Sequence, residues 1–253
     1  MAAAPAFALE TLRLCMSFGA LTVAENIDFR LAAGARHALI GPNGAGKTTF
    51  INMLTGRLAP SSGAVLLGGA DITALAQSAR VKRGLGRTFQ INTLFRELSV
   101  LDNVALGVAE RLGVAGRFWR AASAYREVRD EALALLGSLG LAADAGQRVL
   151  DLPYGKQRLV EIAIALGLKP SVLLLDEPAA GVPSLESARI LEVLDRLPAE
   201  IAILIIEHDM ELVFRFARRI TVLVQGQVLC EGTPAEISAD RRVREVYLGE
   251  GHG

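Results

Sequence analysis

Short apolar runs separated by turn residues dominate the first 90 positions of the chain. Residues 37–40 form an apolar run of strand length, which leads into a glycine-rich turn and then into a predicted helix over residues 47–54. A further apolar run at residues 64–67 predicts a strand, and residues 74–81 show a short helical pattern. This part of the chain therefore predicts strands that alternate with turns and short helices.

The middle of the chain changes to a helical pattern. Residues 104–111 and 124–139 place apolar side chains three and four positions apart, which is typical of helices with one buried face. Apolar runs of strand length return at residues 172–175, 201–206 and 220–224. Because strands separated by helices form parallel sheets, the pattern predicts an α/β fold with a helical segment nested in it.

Composition narrows the class of protein. The 253 residues suffice for one large domain or two joined subdomains, and a hydrophobic content of 51% supplies a core. Lysine plus arginine equals aspartate plus glutamate at 27 each, so no basic excess predicts nucleic-acid binding. No stretch free of these four residue types exceeds 13 residues, which predicts no membrane-spanning helix. The first residues lack the features of a secretory signal, so we expect a cytoplasmic protein.

The turn after residues 37–40 carries the strongest chemical signal. Gly41 is followed after four intervening residues by Gly46, Lys47 and Thr48, which is the spacing of a phosphate-binding loop. The backbone N–H groups of such a loop surround phosphate oxygens. The helix that follows directs the positive end of its dipole at the same anion. We expect Lys47 to contact the β- and γ-phosphates and the Thr48 hydroxyl to ligate Mg²⁺. The predicted nucleotide-binding residues are Gly41, Pro42, Asn43, Gly44, Ala45, Gly46, Lys47, Thr48 and Thr49.

Two adjacent carboxylates end the apolar run at residues 171–175. Because successive residues of a strand point in opposite directions, one carboxylate at the strand end can serve a metal while the next faces the γ-phosphate. We assign Asp176 to the Mg²⁺ shell and Glu177 to the polarisation of the attacking water. The alternative is a buried strand whose acids only cap its end.

A family resemblance rests on motifs that follow this loop. Residues 152–158 read Leu-Pro-Tyr-Gly-Lys-Gln-Arg and resemble the signature of ATP-binding-cassette (ABC) ATPases, which usually reads Leu-Ser-Gly-Gly-Gln. Gln90 resembles the Q-loop glutamine of that family, and His208 resembles its switch histidine. Phe18 stands where the family places an aromatic ring against adenine. The resemblance extends from about residue 7 to about residue 248.

The resemblance implies a fold and two ligands, ATP and Mg²⁺. The fold is the P-loop NTPase ABC-ATPase fold, with a RecA-like core, an antiparallel β subdomain and a nested helical subdomain. Residues 1–253 would form a single ABC ATPase domain. Within it, residues 1–90 and 159–253 would form the nucleotide-binding core, and residues 91–158 the helical subdomain that carries the signature.

The resemblance also implies roles for residues that the pattern alone leaves open. Gln90 would ligate Mg²⁺ or position water, and His208 would hold the γ-phosphate and act with Lys47 and Glu177 in catalysis. Phe18 would stack on adenine. Taken alone, Gln90 can also be an ordinary strand-end residue, His208 a strand cap and Phe18 a core aromatic.

Two regions depart from the family pattern. In the signature, Pro153 replaces the usual serine, Tyr154 a glycine and Lys156 the glutamine, so donors to the ATP of an opposing subunit are lost. Gly155 and the start of the following helix still offer N–H groups to phosphate, so we expect a weakened contact. In the family's later D-loop, Pro183 stands at the usual aspartate position.

Four short segments narrow the resemblance. Residues 87–90, 176–181, 206–210 and 247–250 resemble the ATPase subunits of branched-chain amino-acid importers. We therefore expect an ATP hydrolase that powers a membrane transporter, importing branched-chain amino acids or similar small solutes. Residues 232–234 and 247–250 also occur in lipopolysaccharide-export ATPases, which leaves such an exporter as an alternative. A soluble ABC clamp without a permease and a nucleotide-binding module without turnover are alternatives of another class.

The same resemblance implies partners. They are integral membrane permease subunits, a second ATPase subunit that is identical to this one or different from it, and a solute-binding protein; nucleic acid is not expected. The chain would be held peripherally at the inner face of the cell membrane by the permease. Leu94 and Phe95, two large apolar residues in a polar-flanked loop, are the predicted permease contact, and burial in the core is the alternative for Phe95.

Overall fold

The computed structural model describes residues 7–88, 94–114 and 122–248. Its strands are β1 (Phe7–Phe18), β2 (Leu21–Ala32), β3 (Arg36–Ile40), β4 (Ser62–Leu67), β5 (Ala70–Asp71), β6 (Leu85–Thr88), β7 (Val172–Asp176), β8 (Ala202–Ile206), β9 (Arg219–Val224) and β10 (Gln227–Gly232). Its helices are α1 (Lys47–Thr55), α2 (Gln77–Lys82), α3 (Val100–Arg111), α4 (Ala122–Ser138), α5 (Tyr154–Gly167), α6 (Ser184–Asp195), α7 (Met210–Phe216), α8 (Pro234–Ala239) and α9 (Arg241–Leu248).

These strands form two sheets. The smaller sheet is antiparallel and has the order β2-β1-β4-β5. The larger sheet has the order β10-β9-β3-β8-β7-β6, and its strands are parallel except for β10, which returns antiparallel beside β9. The predicted α/β class is confirmed. Strand β10 is an edge strand and only partly buried, and its apolar run is confined to residues 228–230.

The larger sheet divides the core into two clusters. Strands β3, β7 and β8 are buried at every position, as expected for parallel strands covered on both faces. In β7, Leu173 and Leu175 pack with α3, α4, α5 and α6, whereas Val172 and Leu174 pack with α1 and the smaller sheet. Because side chains alternate along a strand, each strand contributes to both clusters.

The helical region between β6 and β7 packs closely against itself. Ser99 accepts a hydrogen bond from the Asp102 N–H at 3.0 Å and so caps the start of α3. A Cβ on Gly107 would lie 2.7 Å from the Ile164 carbonyl oxygen, so the contact between α3 and α5 requires glycine there. The predicted helices at residues 104–111 and 124–139 fall within α3 and α4, apart from residue 139. The subdomain boundary predicted at residue 158 falls inside α5, and the division into subdomains stays a prediction.

None of the helices in the described ranges combines the length and the apolar character needed to cross a membrane.

Candidate functional site

The phosphate-binding loop connects β3 to α1, as predicted. A Cβ at Gly41 would lie 2.1 Å from the Leu223 carbonyl oxygen, so the chain can pass β9 only with glycine at this position. Gly46 has a φ of 98°, a conformation that favours glycine, and it caps the first turn of α1. The N–H groups at this end of α1 therefore lie at the tip of the loop, where an anion can accept their hydrogen bonds.

Lys47 and Thr48 begin α1, immediately after the loop. The ammonium of Lys47 donates to the Gly41 carbonyl at 2.5 Å and to the Pro42 carbonyl at 2.9 Å, which holds its charge against the loop. Thr48 is exposed, and so are Asn43 and Gly44. Gly41 and Ala45 are buried, so the accessible part of the predicted loop is Asn43, Gly44 and Thr48, beside the Lys47 ammonium.

The turn between β9 and β10 supports this loop. The Gly226 N–H donates to the Ala45 carbonyl at 3.0 Å, and the Glu25 N–H of β2 donates to the Gly226 carbonyl at 2.9 Å. Gly226 has a φ of 79°, and a Cβ there would lie 2.4 Å from the Val23 carbonyl oxygen. The loop is therefore fixed from both sheets through a single glycine.

Three neighbouring parallel strands bring the predicted catalytic residues together. Strand β8 lies between β3 and β7, and Ile206 at its end is level with Leu39 and with Asp176. The phosphate-binding loop, the Asp176-Glu177 pair and His208 therefore follow the carboxyl ends of adjacent strands. Ligands of open α/β sheets bind at this edge.

Asp176 is paired with a buried arginine that the sequence did not identify as part of the site. Arg87 Nη2 lies 3.0 Å from Asp176 Oδ2, and the two side chains are only 8% and 10% exposed. Arg87 Nη1 also donates to Asn52 Oδ1 at 3.0 Å, one helical turn after Thr48. Arg87 thus connects the carboxylate expected at the metal to the helix that carries Thr48. The signal in the sequence was a cation within a short strand.

Glu177 and His208 face each other. Glu177 Oε1 lies 3.8 Å from His208 Nδ1, and both side chains are accessible to solvent. Glu177 has a φ of 47°, which is unusual for a residue other than glycine, and its N–H donates to the Ile206 carbonyl at 2.9 Å. Strained backbone of this kind is concentrated at functional sites.

A second, buried carboxylate lies next to this pair. Glu207 is 1% exposed, and its Oε1 accepts the Ala179 N–H at 3.1 Å. Its Oε2 lies 4.0 Å from His208 Nδ1. Burial raises the pKa of Glu207, the Ala179 N–H and the charge of His208 oppose that shift, and the charge of Glu177 adds to it. No role was predicted for Glu207, although its position directly before the predicted switch histidine was a signal for one.

Phe18 lies at the hairpin between β1 and β2. It pairs with Leu21, and the two side chains are 51% and 65% exposed, so the alternative of a core aromatic is wrong. The same hairpin reaches the phosphate-binding loop, because a Cβ on Gly46 would lie 2.8 Å from the Val23 carbonyl oxygen. The exposed Phe18 ring therefore lies on a hairpin whose second strand contacts the loop, and its stacking on adenine stays a prediction.

The signature residues lie on a different element. Pro153 precedes α5 and provides no side-chain cap. A Cβ on Gly155 would lie 2.3 Å from Glu186 Oε2 of α6, so a larger residue at this position would displace the end of the Glu186 side chain. Lys156 Nζ donates to both oxygens of the nearly buried Asp144 carboxylate at 2.8 Å. The Arg158 guanidinium lies 5.4 Å from the centre of the Tyr154 ring.

Two predictions concern the loop after β6. Gln90 lies outside the described residues, so its role stays a prediction. Phe95 is 60% exposed, and the alternative that it is buried in the core is wrong. Leu94, in contrast, is partly buried and packs against the helical core cluster. The buried Asn103 fixes this loop, because its side chain accepts the Phe95 N–H at 2.9 Å and donates to the Phe95 carbonyl at 3.0 Å.

Comparison with known families identifies the chain. A family model described as ABC transporter matches residues 24–180. The chain belongs to the ABC transporter family. A second model, described as branched-chain amino acid ATP-binding cassette transporter, matches residues 227–253. This ABC transporter ATPase binds nucleotide, as the phosphate-binding loop predicted, and hydrolyses ATP, as the family resemblance implied.

Individual relatives of this ABC transporter ATPase cover nearly its whole length. The high-affinity branched-chain amino acid transport ATP-binding protein LivG of Escherichia coli K12 is 39% identical over an alignment of 248 positions, and the match covers 94% of this chain and 96% of LivG. The lipopolysaccharide export system ATP-binding protein LptB of Acidithiobacillus ferridurans is 37% identical over 243 residues, 96% of this chain and 97% of LptB. Since residues 227–253 match the branched-chain model, neither the exporter nor the soluble clamp is favoured.

A solved structure supports the same family at the level of the fold. The crystal structure of a nucleotide-free ATP-binding cassette from an ABC transporter superposes on this ABC transporter ATPase with a TM-score of 0.84. The two sequences are 29% identical, and the match covers 95% of this chain and 98% of the other. The predicted ABC-ATPase fold is therefore confirmed.

Proposed function

We propose that this chain is the ATP-hydrolysing subunit of an importer for branched-chain amino acids or similar small solutes. The observation that carries the proposal is the assembly of the phosphate-binding loop, the Asp176-Glu177 pair and His208 at one edge of the larger sheet. The match of residues 227–253 to the branched-chain model supports the substrate class. Import would be powered because nucleotide binding and hydrolysis drive a rigid-body motion of attached permease subunits.

ATP would bind with its base on Phe18 and its phosphates in the loop at residues 41–49. The exposed Phe18 ring offers a stacking surface, and the loop offers N–H groups at the start of α1. Lys47 would exchange its present bonds to the Gly41 and Pro42 carbonyls for β- and γ-phosphate oxygens. This exchange loses little, because a charged oxygen is a stronger acceptor for an ammonium than a carbonyl.

The chemistry of the donor set fits Mg²⁺. Thr48 offers an exposed hydroxyl and Asp176 a carboxylate, and Arg87 and Asn52 link the two elements that carry them. Among the described residues, no cluster of three or more His, Cys, Asp or Glu side chains could hold a metal alone. Few protein ligands together with phosphates suit Mg²⁺, which usually keeps several waters and binds through one or two carboxylates. Thr48, Asp176 and Gln90 would hold it, and the ion would neutralise charge on the transferring phosphoryl group.

Glu177 and His208 would act on the attacking water. The Glu177 carboxylate is accessible and stands beside the imidazole, so it can accept a hydrogen bond from water and orient its lone pair toward the γ-phosphate. The His208 ring can donate a hydrogen bond to a γ-phosphate oxygen from the neighbouring strand end. Both residues are held by backbone at the ends of β7 and β8, which fixes their separation.

The partners are part of the proposal. A second ATPase subunit, identical or different, would place its signature over this chain's nucleotide, while Gly155 at the start of α5 would face the nucleotide of that subunit. Permease subunits would bind at the exposed Phe95, and a solute-binding protein would deliver the substrate. Residues 91–158 would form the helical subdomain between the core segments 1–90 and 159–253. The chain would lie peripherally at the cytoplasmic face of the cell membrane.

Transport in vesicles tests this function. The chain, its partner ATPase and the permease subunits encoded beside it would be reconstituted in vesicles with ATP on the ATPase side and the solute-binding protein on the opposite side, and uptake of leucine, isoleucine and valine measured. We expect ATP-dependent uptake that Glu177→Gln abolishes and that the matched surface change Glu200→Gln leaves at the wild-type rate. ATP hydrolysis without uptake of any of the three solutes would contradict the substrate class, although not the ATPase.

A further inference from the structure

Glu207 is a buried carboxylate for which the ATP-binding scheme provides no contact with nucleotide or metal. It follows β8 and is 1% exposed, whereas its neighbour His208 is accessible. An acid in such a site is costly unless its oxygens find partners, and burial raises its pKa accordingly. The contacts of the Glu207 oxygens offset this cost, and they indicate what the side chain does.

The contacts of Glu207 join the two loops that carry the catalytic pair. One oxygen accepts the Ala179 N–H, two residues beyond Glu177, and the other lies 4.0 Å from His208 Nδ1. The Glu177 N–H donates to the Ile206 carbonyl at 2.9 Å. The segment from Glu177 to Ala179 is thus attached to the end of β8 at two points, once through backbone and once through the Glu207 side chain.

The loop needs this second attachment for two reasons. Glu177 adopts a φ of 47°, a conformation that costs a residue other than glycine on the order of 1 kcal/mol or more and persists only where surrounding structure restrains it. In addition, a cavity of about 270 Å³ lies between the segment that starts at Ala179 and helix α7, so the segment borders space into which it can move. A hydrogen bond to Ala179 supplies the missing restraint.

We propose that Glu207 is a positioning residue that sets the geometry of the Glu177–His208 pair through its bond to the Ala179 N–H. The inference rests on the proposed roles of Glu177 and His208 in hydrolysis. Without the bond, the loop can relax toward the cavity and the strained Glu177 backbone can change conformation, which would move the carboxylate away from the attacking water. Displacement by about 1 Å of a group that positions reactants can cost on the order of a hundredfold in rate.

Two substitutions of similar size distinguish the loss of a hydrogen-bond acceptor at position 207 from a change in packing. Glu207→Gln keeps an oxygen that can accept the Ala179 N–H, whereas Glu207→Met fills the site without an acceptor. Each variant of the full chain would be purified alone for its melting temperature and its affinity for a fluorescent ATP analogue, and in complex with the partner ATPase and the permease subunits for kcat and KM for ATP. We expect Glu207→Met to lower kcat roughly tenfold to a hundredfold with KM and nucleotide affinity unchanged, and Glu207→Gln to stay within about threefold of wild type.

A matched control comes from the smaller sheet. Thr11 is fully buried, and its hydroxyl also accepts a backbone N–H, that of Phe29, at 3.0 Å. Thr11→Val removes that acceptor, and Thr11 lies in β1, a strand of the sheet that does not carry Glu177 and His208. We expect it to lower the melting temperature while kcat of the folded protein stays at the wild-type value, because its role is only structural.

The outcomes distinguish the inference from the proposed function. Glu177→Gln is measured in parallel. If Glu177→Gln stops turnover while Glu207→Met turns over at the wild-type rate, or if the Gln and Met variants lose kcat equally, the positioning role is wrong and the proposed function stands. If Glu177→Gln itself retains the wild-type rate, the role assigned to Glu177 fails, and the inference about Glu207 fails with it.

Discussion

Two regions of the molecule follow the family pattern to different degrees. One is the edge of the larger sheet, which carries the phosphate-binding loop, and the other is the start of α5, which carries the signature. At the sheet edge, Lys47, Glu177 and His208 match the pattern and remain accessible. At α5, the departing residues make contacts inside the chain: Lys156 binds Asp144, and the Tyr154 ring packs near Arg158. The chain thus keeps the groups for its own nucleotide and uses those of its signature partly to pack its own helices.

The largest expected effect separates binding from chemistry at the sheet edge. Lys47→Ala removes a charge-assisted contact to phosphate and should abolish tight ATP binding. Glu177→Gln keeps the shape of the side chain but removes the charge that orients water, so ATP should stay bound while turnover falls by several orders of magnitude. Nucleotide retention and phosphate release, measured separately, check this. Hydrolysis by Glu177→Gln at the wild-type rate would transfer the role of base to another residue.

The second effect measures the inequality between the two regions. In a heterodimer whose partner has a serine in its signature, that serine would donate a hydrogen bond to the ATP on this chain. Pro153 has no such donor for the ATP on the partner, and a charge-assisted bond of this kind contributes about 1.5–3 kcal/mol. Glu177→Gln here should then reduce transport more than the equivalent change in the partner, and Pro153→Ser should narrow the gap. Transport rates in vesicles are the measurement.

Pro198→Ser, in the exposed loop after α6, is the control for replacing a proline. A serine before α5 would also accept a backbone N–H of that helix and raise stability, so transport, not melting, is the informative quantity. Equal losses from the two catalytic changes, or full transport by a homodimer of this chain with the same permease, would contradict the unequal-site model.

A third effect tests the strand that leads into the phosphate-binding loop. Burial lowers the pKa of His37 to about 4, and its Nε2 lies 2.8 Å from Thr221 Oγ1. The unfolded chain, with a histidine pKa near 6.5, takes up this proton first as pH falls. The stability contributed by neutral His37 is therefore present above about pH 6.5 and lost between there and about pH 4. We expect a loss of about 2 kcal/mol between pH 7 and pH 5.

Urea unfolding at a series of pH values measures this loss. His37→Asn retains a polar group for Thr221 but does not titrate, so its stability should change less over the same pH range. A slope identical to that of the wild-type protein would show that other groups cause the pH dependence.

The smallest effect asks whether a signature departure serves packing. Lys156→Gln restores the family residue but leaves Asp144, which is 7% exposed, without its cation. We expect the free energy of unfolding to fall by about 1 kcal/mol, since Lys156 is partly exposed and solvent screens the pair. Lys169→Gln, whose pair with Glu131 is more exposed, should change stability by less than about 0.5 kcal/mol. An unchanged free energy of unfolding in Lys156→Gln would show that the ion pair with Asp144 does not stabilise the fold.

The two regions also differ in how far the sequence predicts them. At the sheet edge, short motifs occupy the ends of apolar strands, so β3, β7 and β8 and the placement of their residues follow from the local pattern. The bond between Arg87 and Asp176 does not, because it joins residues 89 positions apart and depends on the pairing of β6 with β7.

The same limit applies to the departures and to the missed residues. Lys156 and Pro153 could be recognised as departures, but the binding of Lys156 to Asp144 requires the positions of two separate elements. Glu207 was adjacent to a recognised histidine, yet its contact is to a backbone N–H at Ala179, and no residue type at position 179 signals such a contact. Through-space partners of backbone groups are thus the part of the site that the sequence left open.

The alternation of side chains in β7 has a consequence for how the two sides of the larger sheet respond to substitution. Leu173 and Leu175 belong to the cluster on the side of α3 to α6, while Val172 and Leu174 belong to the cluster on the side of α1. The two clusters share no side chain. The effects on stability of substitutions in one cluster and in the other should therefore be nearly additive where the substituted residues are not neighbours. Substitutions that repack the helical side should therefore leave the packing behind the phosphate-binding loop nearly unchanged, even though both sides share the same strands.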